Sequence, residues 1–154
     1  MVFIPAPRGS DSASLSLDQR VLQTTIIAAA LIAGQLIFAG IAGVVSITPQ
    51  PISLLSPLAI GLAALAVPTA WCLRRLLWAT AATDGGAPDP ARIQAGVIAY
   101  IAVLEGANLF NITAWMINRT PAPYVPIIVV LLGIQLWGFP RRRDFEAPPD
   151  AGGK

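Results

Sequence analysis

The chain has 154 residues, of which 55% are hydrophobic and only 12% charged, with a formal net charge of +2. A soluble domain carries roughly a quarter charged residues, so this composition excludes a water-soluble globule and points to the bilayer as solvent. Histidine is absent and cysteine occurs once, at Cys72, which excludes histidine-ligated haem or metal, an internal disulfide and a thiolate cluster.

Residues 1–20 are largely polar, with Ser10, Ser12, Ser14 and Ser16 close together, and are expected to be a disordered cytoplasmic segment with Asp18 as a candidate helix cap. The first apolar block runs from Val21 to Ile47. It is far longer than the roughly 7–15 residues of a signal-peptide core, so it reads as a spanning helix that is its own insertion signal. A turn at Thr48-Pro49-Gln50-Pro51 leads to the second block, Ile52 to Leu73, where Pro57 and Pro68 are candidate kinks. The segment around Gly85-Gly86 is a loop, too short and too acidic to cradle a phosphate. The third block is Ile93 to Ile117 and the fourth Tyr124 to Phe139, before a basic and then flexible tail over 141–154.

At about 1.5 Å per residue the first three blocks cross a hydrocarbon core about 30 Å thick, whereas the fourth, sixteen residues long, is marginal. The blocks are continuously apolar instead of alternating, which favours helices over a closed barrel. The expected fold is an all-α polytopic membrane protein, its domain at 21–140 holding four transmembrane helices (21–47, 52–73, 93–117, 124–139) as two antiparallel hairpins. Gly34 and Phe38 in the first helix share their spacing with Gly106 and Phe110 in the third, an echo that a duplicated hairpin would leave.

Lys and Arg set the orientation. With a cytoplasmic amino terminus, the inner side holds Arg8, Arg20, Arg74, Arg75, Arg92, Arg141, Arg142, Arg143 and Lys154, and the outer side only Arg119. Both termini are therefore expected in the cytoplasm. Trp71, Trp78 and Trp137 at the inner ends of helices 2 and 4, with Trp115 and Tyr124 at the outer ends of helices 3 and 4, read as interfacial anchors. Arg141, Arg142 and Arg143 suit both a topology signal and anionic head groups.

The third helix contains the chemically interesting stretch, VLEGANLFN, Val103 to Asn111. Glu105 is its midpoint, where insertion scales put an acidic residue at about 2.5–3.5 kcal/mol, so it is expected to face other helices, hold a proton or bind a cation. Asn108 and Asn111 flank it, about 60° and 120° around the helix. Gln35 lies at matching depth in the first helix, and a protonated Glu105 can exchange two hydrogen bonds with it. Ala30, Gly34, Ala39, Gly40 and Gly43 on one helix and Ala102 and Gly106 on the other would allow the approach, while Gln135, near the inner end of helix 4, can reach head groups and need not belong to the cluster. Glu105, Gln35, Asn108 and Asn111 are the candidate proton or cation site.

The LEGANLFN core, followed one helix later by Phe139-Pro140-Arg141, resembles an uncharacterised family of small bacterial four-helix integral membrane proteins, over about residues 20 to 143. That resemblance implies a multi-pass protein of the bacterial inner (cytoplasmic) membrane. Around Glu105 the sequence is also similar to the proton-carrying helix of the proteolipid c subunits of rotary ATP synthases, which implies an ion-carrying Glu105 with Gln35 beside it. It departs from that family in lacking a glycine ladder in helix 2, which has only Gly61, and in carrying Asn108 and Asn111.

Two functional classes follow. In one, Glu105 binds or relays a proton or cation within a membrane complex. In the other, the chain is a non-catalytic structural or assembly subunit with Glu105 as protonated interhelical glue. In both the partners are the lipid bilayer and other copies or subunits of a membrane complex. No enzymatic activity, cofactor, metal or nucleic acid is expected.

Overall fold

The computed structural model describes residues 16–45, 48–49, 52–81 and 89–145. Four α-helices make up the fold, α1 (Leu17–Val44), α2 (Leu55–Ala81), α3 (Pro90–Asn118) and α4 (Tyr124–Trp137), and there is no strand among the described residues. Three of them, α1, α2 and α3, are long and apolar enough to cross a membrane. The outward surface of the helices is oily, with Ile37 of α1, Leu65 of α2, and Val129 and Trp137 of α4 all more than 60% exposed. Water would penalise such a surface, and lipid would not.

The helix boundaries depart from the hydrophobic blocks for local reasons. α1 starts four residues before its apolar run, because Ser16 accepts from the Gln19 N–H at 3.3 Å while the Gln19 side chain accepts from the Ser16 N–H at 2.9 Å. This reciprocal capping box satisfies two donors that a bare terminus would leave open. Ser16 thus takes the capping position expected of Asp18, and residues 17–20 are helical. The expected disorder of 1–15 lies outside the described residues, as do Gln50, Pro51, the Gly85-Gly86 loop and the tail from 146 onward.

α2 continues eight residues past Leu73 to Ala81, since Arg, Leu, Trp and Ala all suit a helix and nothing in that run breaks it. Pro57 is no interior kink, for it sits in the first turn, where its missing N–H has no helical partner to lose. Pro68 does lie inside the helix. α3 begins at Pro90 because Asp89 caps it, accepting from the Ala91 N–H at 2.9 Å, with proline at the first helical position.

α3 is the hub. It packs most extensively against α2, then α1, then α4, with a smaller α2–α4 contact. Its buried face, Ile93, Val97, Tyr100, Ile101, Leu104, Asn108, Asn111 and Ile112, follows helical spacing and meets Ala28 and Ala42 of α1, Ala63, Ala66 and Ala70 of α2, and Leu131 of α4. Alanines on α1 and α2 let the backbones approach, as small residues do in membrane bundles. Gly96 marks the tightest part of the α2–α3 seam, where an added Cβ would lie 3.2 Å from Leu77 Cβ.

At one end, Asn118 and Tyr124 tie α3, α4 and the start of α2 together. The Asn118 Oδ1 accepts from the Ile52 N–H at 2.9 Å, its amide donates to Tyr124 Oη, and that hydroxyl is 2.9 Å from Ser56 Oγ. Tyr124 is therefore buried and bonded, and Trp115 packs into the bundle beside Ala42 and Phe110 instead of only anchoring at its rim. Arg119 adopts the left-handed conformation, φ 57°, and donates to the Ala42 carbonyl of α1 at 3.0 Å.

α4 has fourteen residues, about 21 Å of helix, shorter than a hydrocarbon core. Its last turn is level with Tyr100, whose hydroxyl donates to the Ile134 carbonyl at 3.0 Å. From there Phe139 to Phe145 continues without α-helix, through a short 3-10 turn at Arg142–Asp144, until Phe145 buries against Ile93, Leu17 and Val21. The part of the expected flexible tail at 141–145 is accordingly docked. Arg74 bridges to Asp144 at 3.4 Å and Arg142 to Asp18 at 3.8 Å, tying this segment to α2 and α1.

Candidate functional site

The buried polar groups of the bundle form a chain across three helices. Asn108 on α3 donates to Gln35 Oε1 on α1 at 2.7 Å, and Gln35 in turn donates through Nε2 to Gln135 Oε1 on α4 at 3.2 Å. All three are essentially without solvent exposure. Asn111, also buried, turns its amide back to the Ala107 carbonyl of its own helix at 2.8 Å. In hydrocarbon each of these groups needs a partner from the protein, so the chain orients α1 and α4 on α3.

This arrangement differs from the expected one in two ways. Gln35 bonds with Asn108 and Gln135, and not with Glu105. Gln135, which the sequence did not require in the cluster because it can reach head groups, is a full member of the buried chain. The reason lies in the wheel of α3. Its buried face is centred on Ile101, Leu104, Asn108 and Asn111; Glu105 is about 100° from Leu104 and about 60° from Asn108, which carries it to the edge of that face. The short Asn108 amide points into the seam and takes the Gln35 acceptor.

Glu105 is only partly buried, with the exposed Ala102 and Gly106 beside it. No side chain among the described residues donates to its carboxylate. An added Cβ at Gly106 would meet no atom within 4 Å, and the same is true of Gly34 and Gly40 on α1. These glycines face outward and do not form the α1–α3 seam, which uses Ala28, Ala42 and Gly43 instead; only Gly43 of the α1 glycines approaches α3, where an added Cβ would lie 3.5 Å from the Trp115 ring.

Three polar atoms of the cluster are buried without a partner, Asn108 Oδ1, Asn111 Oδ1 and Gln135 Nε2. Two orphan acceptors lie on α3 and one orphan donor on α4. Each costs about 1–3 kcal/mol relative to a satisfied group, so the cluster fixes helix orientation at the expense of net stability.

The residues expected at the membrane interface gather at the other polar layer. Arg74 lies beside the Tyr100 ring, 5.3 Å from its centroid, and Arg75 sits at the same distance from the Trp71 ring. Trp71, Trp78 and Trp137 are exposed and, with Arg74, Arg75, Arg141 and Arg143, border one cleft; Arg142 instead turns to Asp18. Sequence reasoning missed Asp144 and Gly138 in this layer. Arg74 is within 3.5 Å of the Gly138 carbonyl, and a Cβ on Gly138 would fall 2.3 Å from the Tyr100 ring, so only glycine fits there. The glycine between Trp137 and Phe139 was the available signal, at the end of the last apolar run.

No protein-family model, no curated protein and no solved structure matches this chain.

Proposed function

We propose that this protein is a non-catalytic, multi-pass assembly subunit of a membrane complex, built from its own copies or with other chains, in which Glu105 is an intermolecular contact. The observation that carries this reading is the outward placement of a carboxyl group with no partner among the described residues, next to the open surface at Ala102 and Gly106. A carboxylate in hydrocarbon is costly unless protonated or bonded, and a neighbouring helix docking over the small residues would supply the bond.

In this reading α4 and the Phe139–Phe145 segment together complete a fourth crossing, and the helices form two antiparallel hairpins. The arginine-rich end faces the cytoplasm of a bacterial inner membrane, by the excess of Arg and Lys there. The layer of Arg74, Tyr100 and Asp144 marks the polar boundary on that side. Glu105 is then five residues further along α3, about 7.5 Å into the apolar region.

A second reading has its own support. A part-exposed carboxyl that no donor among the described residues holds is open to proton exchange, which suits a proton or cation carrier; against it, Asn108 and Asn111 face the seam and do not extend a polar path from Glu105.

The two readings separate by variant. In nanodiscs, single-molecule photobleaching of labelled protein should give the same subunit count for Glu105→Gln, which keeps a donor and an acceptor, and a roughly tenfold weaker assembly for Glu105→Leu. An unchanged count for Glu105→Leu would remove the assembly role. Proton flux into proteoliposomes that Glu105→Gln abolishes while the subunit count holds would establish the carrier reading in its place.

A further inference from the structure

The cleft at the arginine layer has two parts that no helix among the described residues fills. The first, about 360 Å³, is bordered by Arg75, Arg141, Arg143, Trp78 and the Arg74–Asp144 pair. The second, about 340 Å³, is almost wholly apolar and is lined by Val67 of α2, Tyr100 of α3, and Val130, Gly133 and Ile134 of α4. Trp71 and Trp137 border both, so the cationic part and the apolar part adjoin.

Charge selects the occupant of the first part. Four guanidinium groups line it against one carboxylate, and Arg74 is the one that Asp144 bridges. Arg75, Arg141 and Arg143 have no carboxylate partner among the described residues. Planar guanidinium groups converging on one cleft match the oxygens of a phosphate. Shape selects what is attached to it. Val67 and Val130 each lie seven residues, about two helical turns, on the apolar side of Arg74 and Trp137, so the groove descends about 10 Å from the arginines. Gly133 keeps it open, with no atom within 4 Å of where a Cβ would stand.

We infer that this α2–α4 cleft binds an anionic phospholipid, with the phosphate held by Arg75, Arg141 and Arg143 and one acyl chain laid in the groove between Val67 and Gly133. The exposed indoles of Trp71 and Trp137 stand at the junction, where the head group meets the chains and where tryptophan is favoured in a bilayer. A free phosphate would use only the cationic part, and an uncharged lipid only the groove. The site is independent of the role of Glu105, which does not border it.

Native mass spectrometry of the detergent-solubilised full chain, titrated with phosphatidylglycerol or phosphatidylcholine of the same acyl chains, tests the assignment. The expected result is retention of one phosphatidylglycerol at concentrations where phosphatidylcholine is not retained. Arg141→Gln and Arg143→Gln should each weaken it about fivefold, the effect of one surface arginine on anionic lipid. Arg92→Gln removes the same charge at the same end but outside the cleft, and should leave binding unchanged. Gly133→Leu, which fills the groove without altering charge, should abolish retention while the lipid-free melting temperature holds.

Equal retention of the two lipids would overturn the proposal, as would an Arg92→Gln loss equal to that of Arg143→Gln. So would phosphatidylglycerol binding that survives Gly133→Leu. Displacement of the lipid by millimolar inorganic phosphate would assign the arginines to a free anion instead.

Discussion

Glu105 and Asn108 lie three residues apart on α3, yet one meets the outside of the bundle and the other its centre. The difference of about 60° around the helix decides which of them Gln35 can bond. Gln35→Leu should destabilise the protein by about 1–3 kcal/mol, because Asn108 and Gln135 each lose a partner inside the bundle. A Gln35→Leu, Asn108→Leu cycle, read by unfolding in mixed detergent, should give a coupling of about 0.6–1.7 kcal/mol. The corresponding Gln35→Leu, Glu105→Leu cycle should be additive within about 0.5 kcal/mol, since no bond joins the two. Gly138 offers a steric test at the arginine layer. The Tyr100 ring is held by its bond to the Ile134 carbonyl and by Arg74, so it cannot withdraw from a new methyl group without giving up both. Gly138→Ala should therefore cost about 1–3 kcal/mol in the same assay, and Tyr100→Leu in the same chain should recover part of it.

At the scale of elements, existence and type were readable from apolar runs, while ends were set by groups that hydropathy ignores. Ser16 with Gln19 starts α1, and Asp89 with Pro90 starts α3; both are polar signatures lying outside the apolar blocks. Ser16→Ala should lower protection of the first turn of α1 from hydrogen exchange by about 1 kcal/mol, with the centre of α1 unaffected. The chain after α4 was the least legible part. A stretch of arginines followed by acidic and small residues reads as a solvated tail, but Phe145 finds an apolar site formed by Ile93, Leu17 and Val21, which are distant in sequence and meet only in the bundle. Phe145→Ala should cost up to about 3 kcal/mol, toward the low end of aromatic truncations because the segment is near the surface. Its measurable sign is faster exchange at the first turns of both α1 and α3.

For the whole molecule, the question is how a fourteen-residue helix serves a chain of three long ones. α4 reaches from the Asn118–Tyr124 end to the level of Tyr100, and the Phe139–Phe145 segment carries the chain on to Ile93. In a Cys72→Ser background, a membrane-impermeant maleimide should label Thr80→Cys and Arg143→Cys from one side of a vesicle and Pro121→Cys from the other. Labelling of Arg143→Cys together with Pro121→Cys would mean that α4 turns back without crossing. The same whole-molecule view explains the position of Glu105. α3 is covered by three other helices over most of its circumference, and the strip left open carries Ala102, Gly106 and the carboxylate.

Sequence alone determined the solvent, the helical class and three membrane-length helices, because those follow from composition and run length, properties that each segment carries by itself. It also picked out Gln35, Asn108 and Asn111 as polar groups in oily helices, but not their pairing or the inclusion of Gln135. Tertiary structure decided that pairing, the docking of Phe145 and the outward turn of Glu105. Each depends on the rotation of one helix against another, and rotation is set by the summed packing of Leu104, Ala28, Ala42 and Leu131, which no single segment encodes.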